Sequence, residues 1–185
     1  YKTLFAKKQL AMMKAKIGLE LTDGNDQKLI DDLEINLRRT ETDMTIFFRN
    51  LSKISKDMIV PEKDDLSFLD NLYDAFYKPE ELKGEVLFFW KDWMNRYLKR
   101  LQQEIDTDTV RKQEMNLVNP KYVLRNYMAQ VAIDAADKGD YSIIDELYQL
   151  LKQPYAEQKD SEKWFVKRPE WARTKVGCSM LSCSS

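Results

Sequence analysis

The sequence of 185 residues contains no histidine and only two cysteines, Cys178 and Cys183. The lack of histidine removes the commonest general base, the Ser-His and Cys-His nucleophile pairs, and the commonest zinc ligand. Two cysteines without histidine make a poor zinc site, and they are too few for a secreted disulfide framework. Catalysis by this chain alone would therefore have to use carboxylates, lysines, tyrosines or thiols.

Glycine-rich phosphate loops are also lacking, since neither GxGxxG nor GxxxxGK[ST] occurs. No apolar run approaches the roughly 18 residues that a membrane-spanning helix requires, so we expect no membrane partner. The 30 basic and 31 acidic side chains give a net charge of −1, which provides no general attraction to nucleic acids. The start of the chain does not read as a signal peptide, and the few cysteines favour a reducing, cytoplasmic compartment.

Glycine and proline are scarce, with five of each, whereas 33% of the residues are charged. This composition favours helices over many short strands, and apolar residues recur at spacings of three and four along most of the chain. We therefore predict an all-α fold of seven or eight helices in one compact domain over residues 1–176, with an irregular, flexible tail over residues 177–185. The longest predicted helix covers about 79–105.

A cap, a proline and two basic residues lie close together in NPKYVLRNYMAQ, residues 119–130. Asn119 and Pro120 predict a helix start, because Asn is a good N-cap and Pro suits the first helical position. On such a helix Lys121 and Arg125 share a face and could contact an anion or a partner protein. A well-capped core helix with a solvated basic edge explains the same residues and is the interpretation we favour.

The two cysteines lie among Gly and Ser residues in a segment with no helical period, so we expect both thiols to lie outside the core, within reach of oxidants or other thiols. Cys178 and Cys183 could bond each other in a turn, or either could bond a cysteine outside this chain. Two inert, flexible thiols remain an equal alternative.

Several short motifs occur in a fixed order along the chain. They are KIGL (16–19), DMTIFFRNL (43–51), FFWKDWMNRYLKRL (88–101), NPKYVLRNY (119–127), GDY (139–141), QPYAEQ (153–158), RPEWA (168–172) and GCSMLSCSS (177–185). Together they resemble the C-terminal part of the selenoprotein O family, also called YdiU. Ile17 stands where Leu is the expected residue, and both are apolar.

The resemblance implies the helical C-terminal part of a kinase-like fold and an enzyme that transfers AMP from ATP to Ser, Thr or Tyr hydroxyls of proteins. It implies ATP with Mg²⁺ or Mn²⁺ as cofactors, bound by residues that precede this chain. We therefore expect a fragment that is not catalytic alone and that buttresses the kinase-like core. Its partners would be its own N-terminal kinase-like region and the protein substrates.

In some members of that family selenocysteine stands third from the end, which is the position of Cys183. The resemblance implies a disulfide between this residue and a cysteine of the kinase-like core, so that the tail acts as a redox latch, with Cys178 as a less certain resolving thiol. Two other hypotheses remain open. One is a stand-alone helical interaction module that binds through Lys121 and Arg125, and the other is a thiol-redox protein that uses both cysteines.

Overall fold

The computed structural model describes residues 2–63, 65–175 and Cys178. Across these residues the chain forms seven α-helices and four 3₁₀ helices, with one isolated bridge between Thr42 and Phe76 in place of a sheet. The prediction of an all-α fold is confirmed. None of the helices in these ranges is long and apolar enough to cross a membrane.

The α-helices are α1 (Lys2–Lys16), α2 (Asp26–Arg39), α3 (Met44–Leu51), α4 (Gly84–Leu101), α5 (Asp108–Val118), α6 (Asn126–Ala136) and α7 (Ser142–Leu151). The 3₁₀ helices are Ser67–Ala75, Pro79–Glu81, Lys159–Trp164 and Glu170–Arg173. The chain divides into two compact units, Tyr1–Asn119 and Pro120–Ser185, called unit 1 and unit 2 below. The sequence pattern did not indicate this division, and the domain limits of 1–176 and 177–185 stay a prediction.

Helix α3 begins where its sequence predicts. The Asp43 carboxylate accepts a hydrogen bond from the Ile46 amide at 3.1 Å, which satisfies one of the free amides of the first turn. Phe47 is fully buried in the core of unit 1. Arg49 is buried as well, and its guanidinium donates to the carbonyls of Asn116 and Asn119 at 3.0 and 2.9 Å. This arginine therefore fixes α3 to the end of α5.

The core of unit 1 contains three aromatic side chains of α4. Trp90, Trp93 and Tyr97 are fully buried, as their helical spacing predicts. The Trp93 and Tyr97 rings stack with centroids 4.9 Å apart, and the Trp93 indole donates to the Leu29 carbonyl at 2.9 Å. The Tyr97 hydroxyl donates to the Ile17 carbonyl at 2.8 Å, so α4 contacts both α2 and the turn after α1.

The predicted long helix over 79–105 is wrong at both ends, because α4 covers only Gly84–Leu101. Gly84 has a φ of +54°, a conformation that separates Pro79–Glu81 from α4. Beyond the helix, Ile105 at the predicted C-terminal end is 85% exposed. The stretch Ser67–Ala75 is a 3₁₀ helix, which places the buried residues Leu69, Leu72 and Ala75 on one side at a spacing of three.

The helix predicted from Asn119 and Pro120 is also wrong, because α6 begins only at Asn126. The Asn119 side chain donates to the Lys16 carbonyl at 2.8 Å. The amides of Lys121 and Tyr122 both donate to the Pro154 carbonyl, at 2.8 and 3.1 Å. These long-range bonds keep the segment extended, so the local capping signal does not start a helix here.

Unit 2 has its own core, formed around α6 and α7. Its fully or nearly fully buried members are Tyr122, Tyr127, Met128, Ala132, Leu147, Leu150, Trp164, Ala172 and Cys178. The Trp164 indole donates to the Glu146 carboxylate at 2.7 Å, which connects α7 to the 3₁₀ helix that follows it. Unit 2 therefore has a hydrophobic core of its own, as a compact unit requires.

Candidate functional site

The KIGL motif forms the turn at which α1 ends. Gly18 in this motif has a φ of +72°, which favours glycine. A Cβ atom at this position would lie 2.7 Å from the Met115 sulfur and 2.8 Å from Cγ of Arg111. The turn therefore packs directly on α5, and both backbone conformation and available space require glycine.

Four charged side chains lie buried beside this turn, and we call them the buried charge cluster: Lys14, Asp26, Arg100 and Glu104. Arg100 Nε donates to Asp26 at 2.8 Å, and its Nη1 lies 2.7 Å from a Glu104 carboxylate oxygen. Lys14 Nζ lies 3.4 Å from the second Asp26 oxygen. The cluster contains two cations and two carboxylates, which is the balance that burial of charge requires.

The cluster holds the backbone of the loop between α1 and α2. The Leu21 carbonyl accepts from both Lys14 Nζ and Arg100 Nη2, each at 2.6 Å. The Leu21 amide donates to the Glu104 carboxylate at 3.2 Å. Since both backbone groups of one loop residue are bound by the cluster, its charges serve to fix this loop.

The protonation of the cluster matches this structural role. Burial alone would raise the pKa of Asp26, but hydrogen bonds from Arg100 and the Asp23 amide outweigh it and hold that pKa below its usual value. Burial opposes the charged form of Arg100, yet bonds to Asp26 and Glu104 raise its pKa. Both groups are therefore charged at neutral pH, and the lowered pKa makes Asp26 a weak base.

The sequence did not predict this cluster. Arg100 lies in the last turn of α4 and Glu104 three residues beyond the helix, and their spacing of four indicates only a local ion pair. Asp26 is 74 residues away from Arg100 in the chain, so no local spacing in the sequence connects the two. Only the packing of α2 against α4 brings the two together.

Lys121 and Arg125 do not share a helix face, so this part of the sequence interpretation is wrong. Lys121 precedes α6, and its ammonium donates to the carboxylates of Glu157 and Glu162. Arg125 lies at the start of α6 and donates to the Val166 carbonyl at 2.8 Å. Both cations make contacts within unit 2, and their role in binding an anion or a partner stays a prediction.

The surroundings of Lys121 keep it charged. Its side chain is only 7% exposed, and burial opposes the charged form. The hydrogen bonds from its ammonium to Glu157 and Glu162 outweigh burial and raise the pKa of Lys121 above its ordinary value. The lysine therefore holds together the segments before α6 and after α7 as a permanent cation.

Cys178 lies in the core of unit 2 and is only 4% exposed. Its carbonyl accepts from the Asn126 side chain at 3.5 Å, and its amide donates to the Lys175 carbonyl at 3.1 Å. The expectation that both thiols lie outside the core is wrong for Cys178, which packs among the apolar side chains of unit 2. Cys183 and most of the predicted tail lie outside the described residues, so the redox role of both cysteines stays a prediction.

Among the residues that the structure describes, no group of three or more Cys, Asp and Glu side chains is arranged to hold a metal ion. Two sets of charged side chains that these residues bring together are the buried charge cluster of unit 1 and, in unit 2, Lys121 with the carboxylates of Glu157 and Glu162.

Comparison with known proteins identifies relatives of this chain. A protein nucleotidyltransferase YdiU of Flavobacterium johnsoniae is 58% identical over 170 residues, which are 92% of this chain and 32% of that protein. Proteins of the same name from Aromatoleum aromaticum and Rhodopirellula baltica are 42% and 44% identical over 188 residues, covering 100% and 98% of this chain and 34% and 35% of their own lengths. The relatives thus belong to one class, the protein nucleotidyltransferases.

A match to a family model defines the relationship more closely. The family model described as Protein adenylyltransferase SelO matches residues 1–152. This chain belongs to the SelO family, which confirms the resemblance inferred from the short motifs. The chain spans about a third of the length of the curated relatives that it matches.

Proposed function

We propose that this chain is the helical C-terminal part of a protein adenylyltransferase that transfers AMP from ATP to Ser, Thr or Tyr hydroxyls of other proteins. The family description and the relatives' shared name support this activity. ATP and Mg²⁺ or Mn²⁺ would bind in a kinase-like region outside this chain. That region would be the main partner of the chain, and the whole protein would act on protein substrates in the cytoplasm.

The role that we propose for the chain itself is structural. The observation that carries this proposal is the use of motif residues in internal contacts. Tyr97 and Arg100 bind the backbone of the loop after α1, Arg49 binds the end of α5, and Lys121 binds two carboxylates of unit 2. Residues held in this way give a rigid helical support against which a kinase-like region can pack.

Nucleotide transfer by the full-length protein tests the proposed activity. The protein is incubated under reducing conditions with Mg²⁺ or Mn²⁺ and with ATP labelled at either the α- or the γ-phosphate. AMP transfer leaves the α-label on protein and releases the γ-label with pyrophosphate. We expect protein-bound α-label with the full-length protein and none with this chain alone. Protein-bound γ-label in place of α-label, or no label at all, contradicts the proposal.

We further propose that Cys183 forms a reversible disulfide with a cysteine outside this chain. The burial of Cys178 supports this proposal, because it fixes the backbone in the core of unit 2 five residues before Cys183. Five residues span at most about 18 Å when fully extended, and the Cα atoms of two disulfide-bonded cysteines lie roughly 6 Å apart. The Cα atom of the partner cysteine therefore has to lie within the sum of these two distances from the Cα atom of Cys178. Cys178 would thus act as the anchor of the tail.

Disulfide mapping separates this proposal from its alternatives. The full-length protein is mildly oxidised, its remaining thiols are alkylated, and the peptides are analysed by mass spectrometry without reduction. Formation of the bond removes two protons and two electrons from two thiols and transfers them to the oxidant. We expect Cys183 linked to a cysteine outside this chain and Cys178 alkylated only after denaturation. A link between Cys178 and Cys183 would support a thiol-redox protein instead.

A further inference from the structure

A groove in unit 1 lies between α1 and α5 and extends to the loop that follows α1. Its volume is about 470 Å³, and we call it the α1–α5 groove. Its apolar lining residues include Leu10 and Ala11 of α1, Leu19 of the loop and Val118 of α5. Apolar side chains of a bound partner would lose water here, which is the main source of affinity in such a groove.

The first turns of α1 extend the same surface without a cover. All residues from 2 to 9 are exposed, with Leu4 at 59% and Phe5 at 60%. Leu4 lies one helical turn before the groove residue Lys7, on the same side of α1. Helices of about 15 residues obtain most of their stability from packing of an apolar face, so these turns need a partner that the described residues do not supply.

The charges around the groove indicate the kind of partner. The carboxylates that line it outside the buried charge cluster belong to Glu20, Asp23, Asp106 and Glu114. Among the described residues none of these four forms a salt bridge. Lys7 is the only exposed cation of the lining, because Lys14 and Arg111 are buried and paired with carboxylates. The groove therefore presents apolar walls and an acidic rim.

We propose that the α1–α5 groove binds a basic amphipathic segment of the same protein, located in the part that lies outside this chain. Its apolar side chains contact Leu10, Leu19 and Val118, and its lysines or arginines pair with the acidic rim. The same segment covers the first turns of α1. This inference rests on the proposed function, because it requires the longer protein to which the chain belongs.

The length of the relatives favours this occupant over a separate protein. The chain spans 32% to 35% of them, so about two thirds of such a protein is available to the groove within the same molecule. The effective concentration of a tethered segment is set by its linker and reaches the millimolar range for a short flexible one, so a groove of this modest size can be occupied without high intrinsic affinity. The acidic rim then selects a basic segment and disfavours an acidic one.

Hydrogen exchange of the full-length protein tests this proposal. Peptides that cover α1 are followed by mass spectrometry in the wild type, in Glu114→Lys and in Glu34→Lys. Glu114 is an exposed residue of the groove, whereas Glu34 is a partly exposed carboxylate on α2 that does not line it. The two substitutions change the charge equally. We expect α1 amides to exchange at least about tenfold faster in Glu114→Lys than in the wild type, and at the wild-type rate in Glu34→Lys.

Zero-length coupling of carboxylates to amines then identifies the occupant. We expect links from Glu20, Asp106 or Glu114 to lysines of the same protein outside this chain. The proposal is overturned if the α1 amides of the wild type are unprotected or if they exchange equally fast in the two variants. Protection that rises with protein concentration also overturns it, because this would indicate binding of a second copy of the protein. Links to a different protein also overturn it. AMP transfer is measured on the same samples, so a protein that transfers AMP but leaves α1 unprotected refutes the groove proposal alone.

Discussion

Replacing Asp26 by Asn removes one of the two negative charges from the buried charge cluster. The Asp26 side chain is only 2% exposed, and its oxygens lie 2.8 Å from Arg100 and 3.4 Å from Lys14. An amide of the same size accepts fewer hydrogen bonds and turns an N–H group toward a cation. The substitution therefore leaves buried positive charge with Glu104 as its one remaining carboxylate partner in the cluster.

The expected loss is large. The Coulomb attraction between Asp26 and Arg100 at 2.8 Å is about 6 kcal/mol at an effective dielectric constant of about 20. The Asn variant recovers part of this, because it no longer has the desolvation cost of the buried carboxylate. Removing one partner of a buried ion pair costs about 3–5 kcal/mol in measured cases, and we expect a loss in this range. Small domains have a total free energy of unfolding of about 5–15 kcal/mol, so this loss brings unit 1 close to unfolding.

Urea unfolding followed by circular dichroism measures this loss, and peptide-resolved hydrogen exchange shows whether it is confined to unit 1. The matched control is Glu34→Gln on the same helix α2. Glu34 is 31% exposed and lies 3.1 Å from Arg38, an exposed pair for which we expect a loss of about 0.5 kcal/mol or less. Equal effects of Asp26→Asn and Glu34→Gln would refute the structural role of the cluster.

Three further predictions concern acid stability, the turn after α1 and the buried thiol. The fold lowers the pKa of Asp26, so the stability that its carboxylate provides is complete above the unfolded-state pKa of about 4 and is lost as the pH falls through the lower folded-state pKa. The difference in unfolding free energy between the wild type and Asp26→Asn should therefore shrink on acidification. An increase of this difference at low pH would contradict the prediction. Gly18→Ala should lower the free energy of urea unfolding by about 1–3 kcal/mol, whereas Gly24→Ala, which has no neighbour within 4 Å, should be nearly neutral, and similar losses would contradict this. Alkylation of Cys178 should be about a hundredfold slower in the native chain than in urea, and equal rates would show that the thiol is not buried.

Helical periodicity predicted the aromatic core well. Trp90, Trp93 and Tyr97 follow a spacing of three and four, and all three are fully buried. Such a pattern depends on one helix, so the sequence contains it completely. The Asp43 cap of α3 is predictable for the same reason, because donor and acceptor lie three residues apart.

Features that depend on distant residues were not predictable in this way. The capping signal at Asn119 failed because its side chain bonds the Lys16 carbonyl, 103 residues away in the chain. The pair of Asp26 and Arg100 joins two helices, and neither residue carries a local signal of burial. Cys178 lies among small polar residues that suggested a free tail, but it belongs to the core of unit 2.

The central claim is that this chain is a helical support and that Cys183 makes the activity of the full-length protein depend on redox state. The most direct test measures AMP transfer by the full-length protein with and without a thiol reductant. We expect oxidised wild-type protein to transfer less AMP than reduced protein. We expect Cys183→Ser to be active in both states and insensitive to the reductant. A Cys183→Ser protein that responds to reductant as the wild type does, or one that is inactive in both states, would contradict the claim.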